Sequence, residues 1–135
     1  MTVRVVGQTG SGPSAKAGIA VANDLTAPEA GGYAVLTMSA RFGLEFLTDS
    51  DGDGKLDTWA GGGSSYHPAW LKLVRDGSAY TAYASSDGTA WQQVAAATVP
   101  SASGTGDAGM VASAVNLNYP GQTTTALFDS FSTHE

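Results

Sequence analysis

The stretch "WLKLVRDGSAYTAYASSDGTAW", residues 70–91, decides the fold class of this chain. Apolar and polar residues alternate along "WLKLVR" and again along "YTAYAS", which is the two-residue period of a β-strand. The turn formers "DGSA" separate the two runs, so together they predict an antiparallel hairpin. A second turn, "SDGT", precedes "WQQVAAATV", and a further hairpin strand explains that run better than a short helix does.

The same alternation predicts the register of the hairpin. We expect three facing pairs that collect apolar side chains on one face: Arg75–Tyr80, Leu73–Ala82 and Leu71–Ala84. The opposite face then carries aromatic rings, a cation and hydroxyls, from Trp70, Lys72, Val74, Thr81, Tyr83 and Ser85. A slip of one residue would place Thr81 opposite Leu73, so the register is well specified.

Strand-like runs recur along the rest of the chain, between clusters of glycine, serine, proline and aspartate. With 135 residues, 18 glycines, 13% charged residues and no sustained helical period, the chain predicts one all-β domain over residues 1–135, built as a two-sheet antiparallel sandwich. The runs "AGIAVAND" and "AGMVASAVN" echo each other, and we expect both to be central strands of one sheet, where glycine allows close backbone approach. The predicted strands outside the hairpins cover residues 3–6, 17–24, 33–39, 43–48, 108–115 and 125–133.

The charge of the chain is negative and local. The formal net charge is −6, and the segment 49–57 alone contributes −3, from four aspartates minus one lysine. Six Lys and Arg residues in an acidic chain make nucleic acid and anionic membranes poor partners. There is no cysteine, which excludes disulfides, and no run approaches the roughly 20 apolar residues of a membrane span.

The acidic segment "TDSDGDGKLDTW", residues 48–59, has the pattern D-x-D-x-D-G-x-x-D. Alternate carboxylates in a tight loop bring their oxygens to one point, and Gly54 at the sixth position permits the sharp turn. Hard oxygen ligands in this number suit Ca²⁺ better than Mg²⁺, which needs a stricter octahedron. The predicted calcium ligands are the carboxylates of Asp49, Asp51, Asp53 and Asp57 and the backbone carbonyl of Lys55.

The loop is not a complete EF-hand, because its twelfth position is Ala60 where such a loop has a bidentate Glu. It resembles the shorter calcium loops of dockerins and thrombospondin-type repeats, and its remaining ligands would come from water or from elsewhere in the chain. The alternative is a solvated Asp/Gly hairpin tip without metal. Four like charges repel one another, and a cation that orders the following segment "TWAGGGSSYHPAW" removes this repulsion.

The runs "AKAGIAVAND", "GGYAVLTMS" and "GLEF", the stretch 70–94 and the ending "FDSF" resemble the concanavalin A-like lectin/glucanase superfamily. Within it, the likeness is to laminin G-like modules of secreted bacterial glycoside hydrolases and surface proteins. The resemblance implies a jelly roll with one curved sheet, glycan binding on the concave face or in edge loops, and calcium that shapes those loops. Such modules usually have one further strand before the one that matches "TVRVVGQT", and we expect it to be lacking here.

Flat aromatic rings stack on sugar rings, while polar side chains bind the sugar hydroxyls. The candidate carbohydrate-binding residues lie on the mixed face of the hairpin and in the segment after the acidic loop, and they are Trp59, Tyr66, His67, Trp70, Lys72 and Tyr83. The alternative for the hairpin residues is an exposed sheet face whose aromatic rings support each other across strands.

The chain offers little for catalysis. Glycoside hydrolysis uses a pair of carboxylates, and Glu45 is the one glutamate in a predicted strand. His67 and His134 have neither a triad partner nor metal-ligand spacing. We therefore expect a non-catalytic, calcium-stabilised carbohydrate-binding module, monomeric in isolation, that belongs to a larger secreted or cell-surface protein. The alternative is a structural or adhesive spacer with no small ligand.

Overall fold

The computed structural model describes residues 1–10, 12, 14–27, 29–62, 69–114 and 121–133. They form ten strands, named in chain order β1 (Thr2–Thr9), β2 (Lys16–Ala22), β3 (Ala34–Ser39), β4 (Gly43–Thr48), β5 (Thr58–Gly62), β6 (Ala69–Asp76), β7 (Ala79–Ser85), β8 (Gln92–Thr98), β9 (Asp107–Ser113) and β10 (Thr125–Ser132).

Two five-stranded sheets contain all of these strands. The first sheet has the order β10-β1-β6-β7-β8, and the second has the order β5-β4-β3-β2-β9. Every neighbouring pair is antiparallel. The predicted all-β, two-sheet antiparallel sandwich is confirmed, and the arrangement is compatible with a jelly roll. Within the described residues, no helix has the length and apolar character needed to span a membrane.

The hairpin of β6 and β7 has the predicted register. Arg75 faces Tyr80, and the pairing continues through the leucine–alanine pairs to Trp70 opposite Ser85. The pairing extends one step further toward the turn than predicted, to Asp76 opposite Ala79, and Gly77 takes a positive φ of 62° in the turn. The predicted third strand of this unit is confirmed as β8, which pairs with β7.

The core lies between the two sheets and is built from alternate residues of their strands. Alternation works here because each strand turns every second side chain inward. Most of the inward residues are Ala, Val, Leu or Ile, so small side chains let the layers pack closely. The buried core comprises Val3, Val5, Ala17, Ile19, Val21, Ala34, Leu36, Met38, Leu44, Phe46, Ala69, Leu71, Leu73, Tyr80, Ala82, Ala84 and Val99.

The two echoing runs lie side by side, because β2 pairs with β9 along its whole length. Their placement in one sheet was predicted correctly, but β9 is the last strand of the described order rather than a central one. The predicted close approach holds for Gly18, where an added Cβ would lie 2.0 Å from the carbonyl oxygen of Leu36. In β9, a Cβ at Gly109 would meet only the Leu25 side chain, at 3.4 Å.

The sequence did not predict β5. The run "TWAGG" is weak strand sequence because two of its five residues are glycine. Pairing with β4 nevertheless holds it in the second sheet, with Trp59 opposite Leu47 and Gly61 opposite Glu45. The acidic loop therefore joins two paired strands and is the connection of a hairpin.

Replacing Gly18 with alanine is expected to lower the free energy of unfolding by about 1–3 kcal/mol, because the new Cβ must displace the Leu36 backbone. Gly109→Ala is the matched control in the neighbouring strand, and it should change stability by no more than about 0.5 kcal/mol. Urea denaturation followed by tryptophan fluorescence measures both. Equal stability of the two variants would contradict the close contact at Gly18.

Candidate functional site

The acidic loop, residues 49–57, connects β4 to β5 at one end of the second sheet. Thr48 and Thr58 face each other where the loop begins and ends, and their hydroxyl groups are hydrogen-bonded. The N–H of Asp57 donates to the Thr48 carbonyl at 3.0 Å, and the N–H of Asp49 donates to the Tyr33 carbonyl at 2.9 Å. Backbone pairing thus fixes both ends of the loop.

The loop is wound around the carboxylate of Asp49, which is fully buried. One oxygen accepts the N–H of Gly52 at 2.7 Å, and the other accepts the N–H of Gly54 at 2.8 Å. Both glycines have positive φ, 84° and 83°, a conformation that other residues rarely adopt. A Cβ on Gly54 would also lie 2.2 Å from the Cα atom of Glu29, so the loop packs closely against the segment between β2 and β3.

Three carboxylates meet in this loop. Asp49, Asp51 and Asp57 each offer an oxygen, and these oxygens lie within 4.8 Å of one another, so the group could hold a metal ion. Ser50 orients Asp57, because its N–H and its hydroxyl each donate to that carboxylate at 2.9 Å. An oxygen-only group of this charge matches the ligands of a hard divalent cation.

The other two predicted ligands stand apart from this group. Asp53 is not a member of it, and one oxygen of its carboxylate accepts the N–H of Lys55 at 2.9 Å. The predicted role of Lys55 is that of a backbone carbonyl ligand, and its side chain is exposed. Both assignments stay predictions.

The pKa values of two aspartates in the loop are shifted in opposite directions. Burial raises the pKa of Asp49, but the N–H groups of Gly54 and Gly52 outweigh it and hold that pKa below its usual value. For Asp51, the N–H of Asp53 lowers the pKa, yet desolvation and the negative charges of Asp53 and Asp57 prevail, so the pKa is raised. The negative charges of its neighbours therefore destabilise the ionised form of Asp51. A bound cation would relieve this repulsion.

A cavity of about 260 Å³ lies next to the loop. Gly54 contributes to its wall on the loop side, and Asp24, Glu29 and Tyr33 contribute from the segment between β2 and β3. The conformation of the acidic loop therefore shapes one wall of this cavity.

The outer face of the second sheet carries a buried charge. The carboxylate of Glu45 accepts the indole N–H of Trp59 at 2.8 Å and forms an ion pair with the Lys16 ammonium at 3.1 Å. Only 4% of Glu45 is exposed, whereas 57% of Trp59 is exposed. Two partners thus hold the carboxylate in place, while the ring of one partner remains accessible.

The outer face of the first sheet contains the mixed residues of the hairpin. The Lys72 ammonium lies 5.0 Å from the centre of the Tyr83 ring and 4.2 Å from that of the Trp91 ring. Trp70 has the Arg4 guanidinium 5.6 Å from its ring centre, and Gly88 packs so closely that a Cβ there would lie 2.8 Å from the ring. Arg4, Lys72 and Gly88 of the same chain therefore lie against these aromatic rings, the two cations as cation–π partners and the glycine as a packing contact.

The structure divides the predicted carbohydrate-binding residues between two surfaces. Trp70, Lys72 and Tyr83 share the outer face of the first sheet, and Trp59 lies on the outer face of the second. The core separates these faces, so the four residues do not form one site. Tyr66 and His67 lie outside the described residues.

Sequence reasoning missed the partners on both faces. The sequence suggests Glu45 only as a catalytic acid, because its contact with Trp59 requires the pairing of β5 with β4, which the sequence does not predict. Trp91 could have been found, because the predicted turn before it returns the chain beside β7, where Tyr83 lies.

Comparison with known proteins adds no relative: no family model matches the chain, and no curated protein or solved structure is significantly similar to it.

Asp51→Asn is expected to raise the melting temperature of the metal-free protein at neutral pH. The folded-state pKa of Asp51 is raised, so its ionised form destabilises the fold, and that penalty disappears as the pH falls below this pKa. The asparagine oxygen can still accept the N–H of Asp53. Melting in EDTA at neutral and acidic pH measures the difference, which should vanish in acid. A lower melting temperature for the variant than for the wild type at neutral pH would contradict charge repulsion between Asp51 and its neighbours.

Proposed function

We propose that this chain is a calcium-stabilised, non-catalytic carbohydrate-binding module of the concanavalin A-like class. It acts as one part of a larger secreted or cell-surface bacterial protein and presents a sandwich face to a polysaccharide. The observation that carries the proposal is the group of Asp49, Asp51 and Asp57 in a loop wound around a buried carboxylate.

The donor set favours calcium over other divalent ions. Three carboxylates each offer one oxygen, and water or backbone carbonyls would complete the coordination. Ca²⁺ takes about six to eight oxygen ligands in flexible geometry, whereas Mg²⁺ needs a near-ideal octahedron. Among the residues that the structure describes, no nitrogen or sulfur ligand belongs to the group, which disfavours zinc and copper. Asp49 and Asp57 would be held by their N–H and hydroxyl donors, and the exposed Asp51 would complete the group.

The position of the loop connects the metal to a binding surface. Asp57 is followed directly by Thr58 and Trp59 of β5, so a cation that orders the loop also fixes the start of this strand. Trp59 presents an exposed ring whose orientation is set by its hydrogen bond to Glu45. An exposed, oriented aromatic ring is the kind of surface on which a sugar ring stacks.

A second candidate function is a structural or adhesive spacer with no small ligand. The contacts on the outer face of the first sheet favour it, because Lys72 lies against Tyr83 and Trp91 and Arg4 lies against Trp70. Rings that already contact cations of their own chain stabilise the sheet and have less free surface to offer a sugar.

A catalytic role has weaker support. One oxygen of Glu45 accepts the Trp59 indole N–H, and the other forms an ion pair with the Lys16 ammonium. An acid or base of glycoside hydrolysis needs a second carboxylate across the scissile bond. Polysaccharide hydrolysis that disappears in Glu45→Gln would contradict the non-catalytic assignment.

Calcium is expected to raise the melting temperature. A ligand that binds only the native state adds about 2.7 kcal/mol of stability when its concentration is 100 times its dissociation constant. Melting should be compared in EDTA, in Ca²⁺ and in Mg²⁺, with Ca²⁺ giving the largest increase. Asp51→Asn should lose most of this increase, and Asp76→Asn, which removes one exposed charge outside the loop, should keep it. Identical melting in EDTA and in Ca²⁺ would refute the calcium assignment.

The chain is also expected to bind a polysaccharide weakly. Affinity electrophoresis through gels that contain laminarin, xylan, galactomannan or polygalacturonate should slow its migration in at least one gel, relative to a protein that binds no glycan. If calcium stabilises the protein and none of these gels slows it, the spacer is the better assignment.

A further inference from the structure

A row of facing residues runs across the outer face of the second sheet, from β5 to β2. Gly61 of β5 faces Glu45 of β4, Glu45 faces Thr37 of β3, and Thr37 faces Gly18 of β2. Glycine thus lies beside Glu45 on one side and beside Thr37 on the other, and the next side chain beyond Gly18 is that of Val111 on β9. Glu45 and Thr37 form a polar centre with a glycine on either side.

The hydroxyl group of Thr37 is unsatisfied. Only 2% of this residue is exposed, and Oγ1 has no hydrogen-bond partner among the described residues. Buried polar groups in proteins are nearly always paired, and an unpaired one calls for a partner such as a bound water or a ligand group. Thr37 therefore offers a donor and an acceptor beneath this face.

The Lys16–Glu45 ion pair spans β3. Lys16 is on β2 and Glu45 is on β4, so their contact at 3.1 Å must pass over the strand that lies between them, next to Thr37. When Lys16 moves aside, the negative charge of Glu45 would repel an anionic ligand, so this centre favours an uncharged one. The Lys16 side chain is 23% exposed, so it can move aside without passing through the core.

Aromatic rings flank the polar centre. The Trp59 ring is 57% exposed and is fixed by its bond to Glu45 at 2.8 Å. Phe42 is 42% exposed and lies with its ring centre 5.8 Å from the Lys16 ammonium. The Arg41 guanidinium covers that ring at 5.2 Å, which leaves Trp59 as the better stacking surface.

We propose that this face binds a neutral sugar residue of a polysaccharide. The sugar ring stacks on Trp59, and one of its hydroxyl groups bonds to Thr37 Oγ1 when the Lys16 ammonium moves aside. Glu45 is a positioning residue, because it fixes the indole ring and anchors Lys16 when no ligand is bound. The inference rests on the proposed carbohydrate-binding function and assigns it to the second sheet rather than to the hairpin face with Trp70.

The test uses Thr37→Val, Trp59→Phe and Trp70→Phe in affinity electrophoresis through the gel that slows the wild type. Thr37→Val is nearly isosteric and should weaken binding about tenfold, the usual scale for the loss of one hydrogen bond. Trp59→Phe loses both the bond to Glu45 and part of the stacking surface, so it should also weaken binding. Trp70→Phe is the matched control on the other sheet and should bind as the wild type does.

Thermal melting of the same variants separates binding from folding. Thr37→Val removes an unpaired buried hydroxyl, so its melting temperature should equal or exceed that of the wild type while its affinity falls. Unchanged affinity in Thr37→Val and Trp59→Phe, or loss of binding in Trp70→Phe alone, would overturn this site and leave the carbohydrate-binding function standing. A wild type that binds none of the neutral polysaccharides would overturn the site, and failure in the polygalacturonate gel as well would count against the function itself.

Discussion

The buried carboxylate of Asp49 is the contact on which the loop end of the sandwich depends. It accepts hydrogen bonds from Gly52 and Gly54, and these bonds close the backbone of the acidic loop into a tight coil. An ionised group at zero exposure is tolerated only when donors satisfy it, and here the backbone supplies them. The same coil brings the Asp51 and Asp57 oxygens close to Asp49, so the repulsion among them follows from how the loop is folded.

This coil is connected to the sheet that carries the proposed sugar site. The loop joins β4, which contains Glu45, to β5, which contains Trp59, and those two side chains are bonded to each other. A cation that stiffens the loop would therefore also steady the indole ring. On the first sheet, by contrast, the aromatic rings lie against cations of the same sheet.

The sequence predicts most of the fold, for local reasons. Leu71 and Leu73 alternate with polar residues, so only one register buries them, and that register is the one observed. The strand β5 escaped prediction because its glycines carry no pattern, and the face on which Trp59 lies follows only from its pairing with Leu47. The sequence of a strand does not tell which sheet will contain it. The sequence therefore gives no sign that Trp59 and Trp70 lie on different sheets.

For the candidate metal site, the sequence predicts which loop contains it but not that the aspartates of this loop have different roles. The D-x-D-x-D spacing treats its aspartates alike, whereas the structure buries Asp49, exposes Asp51 and leaves Asp53 out of the close group. Burial depends on contacts with distant segments, such as the packing of Gly54 against Glu29, and no local pattern contains that information. The unpaired hydroxyl of Thr37 is hidden for the same reason, because its environment is assembled from three neighbouring strands.

The most direct test of the metal centre is an NMR titration of the uniformly ¹⁵N-labelled chain with Ca²⁺. We expect saturable changes in amide resonances that are largest for residues 49–57, with Gly52 and Gly54 among the strongest, because their N–H groups donate to the carboxylate that would bind the ion. Small, unsaturated changes spread over the exposed acidic residues of the whole chain would contradict it.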